Sequence, residues 1–293
     1  MTKDNKENKP LEKKIETKIE TTGHEWDGVS EYNIPAPRWW LIVWIICIIW
    51  AVGYWFFYPT WPVKGGHTKG VLNWSKESQL AQSQVEIEIR KNVYLEKFSK
   101  SNFDEIFQDK QLTAFALNGG RAAFKENCAA CHGTGAQGSR GFPNLNDDDW
   151  LWGGKITDIY TTLKYGIRSG HSKARDNQMP SFGLDKILNK DEIKDVVEYV
   201  LSLSGKSDPN AKGEVIFKSN CVACHGADGK GNKSMGAPNL SDAIWLYGGD
   251  KKDITYTVTY APAGVMPFWE GRLDEQTIKQ LAIYIHSLGG GEK

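Results

Sequence analysis

The sequence predicts a mainly α-helical chain: one N-terminal membrane-spanning helix followed by two tandem copies of a small helical domain. Three features lead to this reading. There is one long uncharged apolar run, a set of residues that recurs at a nearly constant offset, and apolar positions at helical spacing near the end of each copy. The 293 residues accommodate two or three small cores. Basic and acidic side chains balance at 36 each, so no electrostatic surplus favours a polyanion, and nucleic acid is not an expected partner.

The apolar run extends from Trp39 to Tyr58 without a charge. A helix of that length rises roughly 30 Å, the thickness of a bilayer's hydrocarbon core. The core helix of a soluble fold is the alternative, but such helices rarely stay apolar on every face for five turns. Trp39 and Trp40 at one end, and Trp55, Tyr58 and Trp61 at the other, supply aromatic belts, and Pro59 and Pro62 end the helix. A cleaved signal peptide does not fit, because a long polar tail precedes the run and no small-residue cleavage pattern follows it. Cys47, inside the run, reads as a small packing residue. The flanking cations, Lys18 and Arg38 before and Lys64, Lys69 and Lys76 after, leave the orientation undecided.

Residues 1–38 read as a tail on the cytoplasmic side. Its first thirty residues are expected to be largely disordered, being rich in Lys and Glu and poor in large apolar groups. The spanning helix occupies 39–58. Residues 59–111 form a linker, with a helix expected over Ser75 to Lys100 that could be a spacer or a docking element. The first repeated domain covers 112–206 and the second 207–293.

The duplication can be counted. Gly120, Phe124, Lys125, Asn127, Cys128, Cys131, His132 and Gly133 recur 93 positions later, from Gly213 to Gly226. The offset becomes 95 for Pro143-Asn144-Leu145 and Trp150, which match Pro238-Asn239-Leu240 and Trp245. It shrinks to 87 at Met179-Pro180 and Met266-Pro267, so the second copy lacks a loop that the first keeps over Arg168 to Gln178. Each copy closes with a helix, marked by Ile193, Val196, Val197 and Val200 in one and by Ile278, Leu281, Ala282 and Ile285 in the other. Gly205 and Gly289 follow as stop signals.

Cys128-Ala-Ala-Cys131-His132 and Cys221-Val-Ala-Cys224-His225 fit the C-x-x-C-H attachment sequence for c-type haem. Cysteines three apart stand about one helical turn from each other, so both sulfurs can form thioethers with the vinyl groups of one porphyrin, and the next residue lies under the iron. A neutral imidazole binds the metal through one nitrogen and needs an acceptor for the other. Pro143 and Pro238 are the expected carbonyl donors of that acceptor oxygen. Two covalently bound haem c groups follow. A zinc half-site, a thioredoxin-like pair and a structural disulfide compete, but zinc lacks a placed fourth ligand and the thioredoxin reading lacks a βαβ setting.

Met179 and Met266 are the expected sixth ligands. A thioether is soft and neutral, favours reduced iron and blocks the open position, which is the design of an electron carrier. His171 and Met235 are fallback ligands, neither of them repeated in the other copy. His24, His67 and His286 read as solvated or capping residues. Asp147 to Asp149 read first as a solvated helix start and second as a surface that attracts a basic donor. No catalytic residues are assigned: the chain has no Ser/His/Asp set, phosphate loop or paired carboxylates.

The pattern resembles the dihaem CcoP/FixP subunit of cbb3-type cytochrome c oxidase. His24-Glu25-Trp26-Asp27-Gly28-Val29, Asn33 to Pro37, Arg38-Trp39-Trp40, Trp50, Gly53-Tyr54-Trp55, Tyr58-Pro59 and Trp61-Pro62 look like that family's juxtamembrane and anchor signature. The resemblance implies two tandem class I cytochrome c domains and an electron-transfer role. Electrons would come from a periplasmic or membrane cytochrome c, or from a cytochrome bc complex. They would pass to a monohaem cytochrome c subunit and then to the haem b/copper subunit, where oxygen reduction is coupled to proton pumping. The implied partners also include a small membrane subunit and the lipid of a bacterial inner membrane. Because c-type haem is attached outside the cytoplasm, residues 59–293 are expected in the periplasm. The family also raises the possibility that each methionine serves the opposite domain. A stand-alone dihaem cytochrome, a periplasmic dehydrogenase subunit and a dihaem peroxidase remain the competing readings.

Overall fold

The computed structural model describes residues 20–292, which fall into two units, up to Ile87 and from Glu88 onward. The first nineteen residues of the expected disordered tail lie outside the described residues. Part of the remainder is ordered: β1 (Thr21–Trp26) and β2 (Val29–Tyr32) form an antiparallel hairpin with Trp26 opposite Val29. The two turn residues, Asp27 and Gly28, have φ of 50° and 83°, as a type I′ turn requires, and Asp-Gly is a strong local signal for that turn. Low hydrophobicity had pointed to disorder, but here turn chemistry decides.

Helix α1 (Arg38–Phe57) coincides within a residue with the predicted span and buries none of its side chains in the protein. Helix ends leave carbonyls without partners. Here the following loop folds back onto them: Tyr58 donates to the Tyr54 carbonyl, Val71 to Phe56 and Leu72 to Phe57. Tyr58 also meets Trp74 edge to face, and a short hairpin of β3 (Pro62–Val63) and β4 (Gly66–His67) sits within this loop.

Helix α2 (Lys76–Lys100) follows, then α3 (Phe103–Gln108), started by an Asn102/Glu105 capping box, and α4 (Lys110–Asn127), capped by Asp109. Next come α5 (Ala129–His132), α6 (Ile156–Tyr165) and α7 (Lys190–Leu203), the last with an Asn189/Glu192 capping box. The second copy repeats the series with α8 (Ala211–Asn220), α9 (Val222–His225), α10 (Lys251–Tyr260) and α11 (Glu275–His286).

The order in sequence is not the order in space. Helix α4 packs against α11, and α11 against α6, whereas α8 packs against α7, and α7 against α10. One core therefore combines Phe124, Ile159 and Leu163 of the first repeat with Ile278, Leu281 and Ile285 of the second. The other combines Ile193, Val196 and Val197 of the first repeat with Phe217, Ile254 and Val258 of the second. The packed cores thus cut across the linear division at residue 206, because the two closing helices are exchanged.

The exchange rests on close approach. A Cβ at Gly120 would collide with the Gln280 carbonyl and the Tyr284 side chain, and one at Gly213 with the Asp195 carbonyl and the Tyr199 side chain. Only glycine lets the opening and closing helices cross at this separation. A third cluster, Phe98, Ile106, Leu112, Ala116 and Ile283, with Ile156 against it, joins α2, α3 and α4 to the outer side of α11. Lys279 seals it by donating to the Phe98 and Ser101 carbonyls at the end of α2. Residues 98–111, assigned from sequence to a linker, are thus part of the first core. Where that core sets Ile283 against Ile156, the second pairs Glu198 with Lys251 at the matching positions.

Severing the chain between Gly205 and Lys206 separates α4 from α11 and α8 from α7. Each fragment alone is expected to melt without cooperativity, and the two expressed together to associate. A monomeric fragment 1–205 with a sharp thermal transition by circular dichroism would contradict the exchanged packing.

Candidate haem-binding sites

The two C-x-x-C-H segments occupy the same local structure. Phe124 and Phe217, both fully buried, hold the last turns of α4 and α8, after which Cys128 and Cys221 each begin a one-turn helix that ends at a glycine with positive φ. Cys128 is buried and Cys131 exposed, while Cys221 and Cys224 are half-buried.

His132 Nδ1–H donates to the Pro143 carbonyl at 3.0 Å, and His225 Nδ1–H to the Pro238 carbonyl at 3.0 Å, the acceptors expected from sequence. A carbonyl can only accept, so the proton of each imidazole sits on Nδ1 and the Nε2 lone pair is left for a metal. Burial lowers the pKa of both histidines and outweighs the opposing carbonyl bond, which keeps them in the neutral, ligating form. Burial, with the neighbouring cysteine second, pushes the Cys128 and Cys221 thiols up to about 11. Burial thus disfavours the thiolate at these two positions, whereas the nucleophilic thiol of a redox pair has a lowered pKa.

Each methionine packs on the core that holds the other repeat's attachment segment. A cavity of about 540 Å³ is lined by Cys221, Cys224 and His225 and also by Met179 and Pro180, with Val196, Phe217 and Val258 completing an apolar wall. Its volume falls within the range of cofactor pockets. Met179 packs on the core that contains Phe217, with Cys221 beside it, and Met266 on the core that contains Cys128. Met266 is held there by two backbone bonds to Ile167, each 3.0 Å, just past α6 of the first repeat. Trp269 N–H to the Leu163 carbonyl (3.1 Å) and Leu184 N–H to the Thr259 carbonyl (3.0 Å) continue the two crossings. Paired thiols, a neutral imidazole and a thioether around an apolar cavity are a donor set that fits covalently attached haem.

The fallback ligands fit less well. His171 Nδ1 accepts from the Lys173 N–H at 3.0 Å, which places its proton on Nε2, 3.1 Å from Glu270 Oε2, so both nitrogens are engaged. Met235 lines the cavity, but on the loop that carries Pro238 and therefore on the histidine side. Arg140–Asp253 (2.7 Å) and Gly141 N–H to the Leu246 carbonyl (2.8 Å) stitch the two cores together. Sequence reasoning did not assign a role to Arg168, which also lines the cavity. Its one visible signal was membership of the loop that only the first repeat keeps.

Asp149 lines the same cavity. Its carboxyl is raised to about 6 by burial first, then by Asp242 and Asp147, against the opposing charge of Lys233.

Together the fold and these sites define a c-type cytochrome with two cytochrome c modules and a membrane anchor. The "Cytochrome c" family matches residues 117–204, "Cytochrome C oxidase, cbb3-type, subunit III" matches 208–285, and the "N-terminal domain of cytochrome oxidase-cbb3, FixP" matches 18–64. The chain is 50% identical over 276 residues to the cbb3-type cytochrome c oxidase subunit FixP of Bradyrhizobium diazoefficiens, covering 93% of this chain and 95% of that one. It is 49% identical to the CcoP subunit of Azospirillum sp. strain B510 (94% and 96% covered) and 48% identical to that of Cereibacter sphaeroides (93% and 95%). The chain belongs to the FixP/CcoP family, the electron-transfer subunits of cbb3-type cytochrome c oxidase. Its cytochrome c domains imply covalently bound haem c, and it is a membrane-anchored component of an oxidase complex.

Because the folded-state pKa of Asp149 lies above the ordinary carboxylate value, the native state holds its proton where the unfolded chain has lost it. Stability from this group is therefore lost as pH rises from about 4 to about 6. Asp149→Asn should raise the thermal midpoint at pH 7 and change it little at pH 4. An equal shift at both pH values would mean that the carboxylate's charge is not the cause.

Proposed function

We propose that the chain carries two haem c groups and moves single electrons through them toward the oxygen-reducing centre of the oxidase, without making or breaking bonds in a substrate. The observation that carries this reading is the shared cavity of His225 and Met179, residues from different repeats. One group would be bonded to Cys128 and Cys131, with His132 and Met266 as axial ligands. The other would be bonded to Cys221 and Cys224, with His225 and Met179. When bound, haem supplies a metal that accepts and returns one electron.

The chain's own residues do the rest. The cysteines fix each macrocycle in place. The Pro143 and Pro238 carbonyls orient the imidazoles and make them better donors. With haem bound, the methionine sulfurs would favour the reduced metal and exclude oxygen and peroxide from it. The buried apolar walls limit the change in solvation between charge states, so little reorganisation accompanies transfer.

In this reading α1 packs among the membrane subunits of the oxidase and lipid. Its N-terminal end faces the cytoplasm, since haem attachment requires residues 59–293 in the periplasm. Electrons enter from a periplasmic or membrane cytochrome c or a cytochrome bc complex. They leave through the monohaem cytochrome c subunit to the haem b/copper subunit, whose turnover is coupled to proton pumping. A small membrane subunit completes the set of partners.

The crosswise assignment has a direct test. In a chain whose first attachment pair is replaced (Cys128→Ala with Cys131→Ala), only the second haem remains. Met179→His should then lower its potential by on the order of 0.1 V, within the span that axial ligands control, and Met266→His should not. Potentiometric titration reads the outcome, and the opposite pattern would assign each methionine to its own repeat.

A further inference from the structure

Arg168 touches the approach to both methionines. Its Nε donates to the Gly264 carbonyl at 2.7 Å and its Nη1 to the Asn177 carbonyl at 2.9 Å. Gly264 stands two residues before Met266, and Asn177 two residues before Met179. One guanidinium thus grips the two backbone stretches that deliver the two sulfurs. Its donors are fixed in a planar fork, so holding one carbonyl sets the position of the other, which the single point charge of lysine cannot do.

The clamp itself is anchored. Arg168 has φ of 50°, a left-handed conformation that a non-glycine residue rarely adopts. Its N–H donates to the Arg175 carbonyl at 2.8 Å, and the Arg175 N–H to the Gly166 carbonyl at 3.1 Å. Arg175 Nε reaches Thr162 Oγ1 at 2.9 Å, and its guanidinium lies over the Trp152 ring at 5.3 Å. On the far side Asn177 Nδ2 donates to the Met235 carbonyl at 2.7 Å, on the loop that carries Pro238. The residue before Arg168, Ile167, is the backbone partner of Met266. Arg168, Arg175 and Asn177 all lie in the loop that the second repeat lacks, so the clamp has no symmetric counterpart.

We infer that Arg168 is a positioning residue that sets both iron–sulfur bonds at once and so couples the potentials of the two haem sites. The inference rests on the axial assignment proposed above. Loosening the clamp weakens sulfur ligation at both irons, and since sulfur favours the reduced metal, both potentials fall together. Each reduction equilibrium should fall roughly three- to tenfold, the net worth of one hydrogen bond.

The test uses the full chain purified with its oxidase and compares Arg168→Gln, Arg168→Lys, Arg140→Gln, Met179→Ala and Met266→Ala. The readouts are the far-red sulfur-to-iron charge-transfer band of the ferric protein and potentiometric titration of both haems. Arg140 also lines the cavity, so Arg140→Gln removes a charge of the same sign, together with the Arg140–Asp253 ion pair, but no bond to either methionine loop. Arg168→Gln should weaken the band and lower both potentials. Arg168→Lys, which still reaches one carbonyl, should shift both in the same direction by less, and Arg140→Gln, which removes charge alone, should leave the band unchanged. A response at one haem alone, no response, or equal responses to Arg168→Gln and Arg140→Gln would overturn the clamp. If Met179→Ala or Met266→Ala leaves band and potentials unchanged, the axial assignment fails first; if both behave as ligands and Arg168→Gln is silent, the clamp alone fails.

Discussion

The crossing of an opening helix over a closing helix at a glycine is the contact on which the rest of residues 88–293 depends. At Gly120 and Gly213 the backbones come so near that Tyr284 and Tyr199 lie directly over the neighbouring helix, with Phe124 and Phe217 beneath them. Those phenylalanines are fully buried, and each is worth roughly 1.5–3 kcal/mol of apolar burial. They also fix the helix end from which the cysteines and histidine emerge. Because the crossings join α4 to α11 and α8 to α7, every segment leading to a closing helix must pass to the opposite core. The methionines lie on those segments, so helix exchange and methionine exchange are a single structural event. The long chain separation between α4 and α11 is a modest obstacle, since closure entropy grows only with the logarithm of loop length.

Burial then sets the chemistry. Imidazoles deprived of solvent stay neutral, their Nδ1 protons are spent on proline carbonyls, and what remains at each site is a set of uncharged donors facing an apolar wall. Such a site holds a metal whose charge changes by one without needing a matching change in the protein. The seam between the cores adds what polarity there is, through Arg140, Asp253 and the Arg168 clamp. The polar bonds thus hold the two cores together.

Much of this was legible in the sequence. The span, the duplication, the attachment motifs and the proline carbonyls all rest on local patterns: a run without charge, fixed spacings, and a Pro-Asn-Leu segment that follows each histidine, its proline 11 residues on in one copy and 13 in the other. The hairpin at Asp27-Gly28 was legible too, but composition was given more weight than turn chemistry. Partner choice between two closing helices was not local. Both carry the tyrosine and the apolar stripe, so periodicity alone fits either helix to either core. The place of Phe98 and Ile106 in the first core was obscured likewise, because helix α2 has untidy periodicity and only its last turns are buried.

A signal that selects the partner is nevertheless written in the sequence, in two pairs of equivalent positions. Ile156 in α6 corresponds to Lys251 in α10, and Glu198 in α7 to Ile283 in α11. The observed pairing sets Ile283 in the apolar cluster with Ile156, Phe98 and Leu112, and pairs Glu198 with Lys251. Exchanging the closing helices back to their own repeats would set Glu198 among Phe98, Ile106 and Ile156 and leave Lys251 facing an isoleucine. Burying a carboxylate without a partner costs several kcal/mol, far more than the exposed half of the Glu198–Lys251 pair contributes where it stands. The tyrosine and glycine make each crossing possible, while one charged pair and one apolar pair decide which helix completes which core, and with it the core on which each methionine packs.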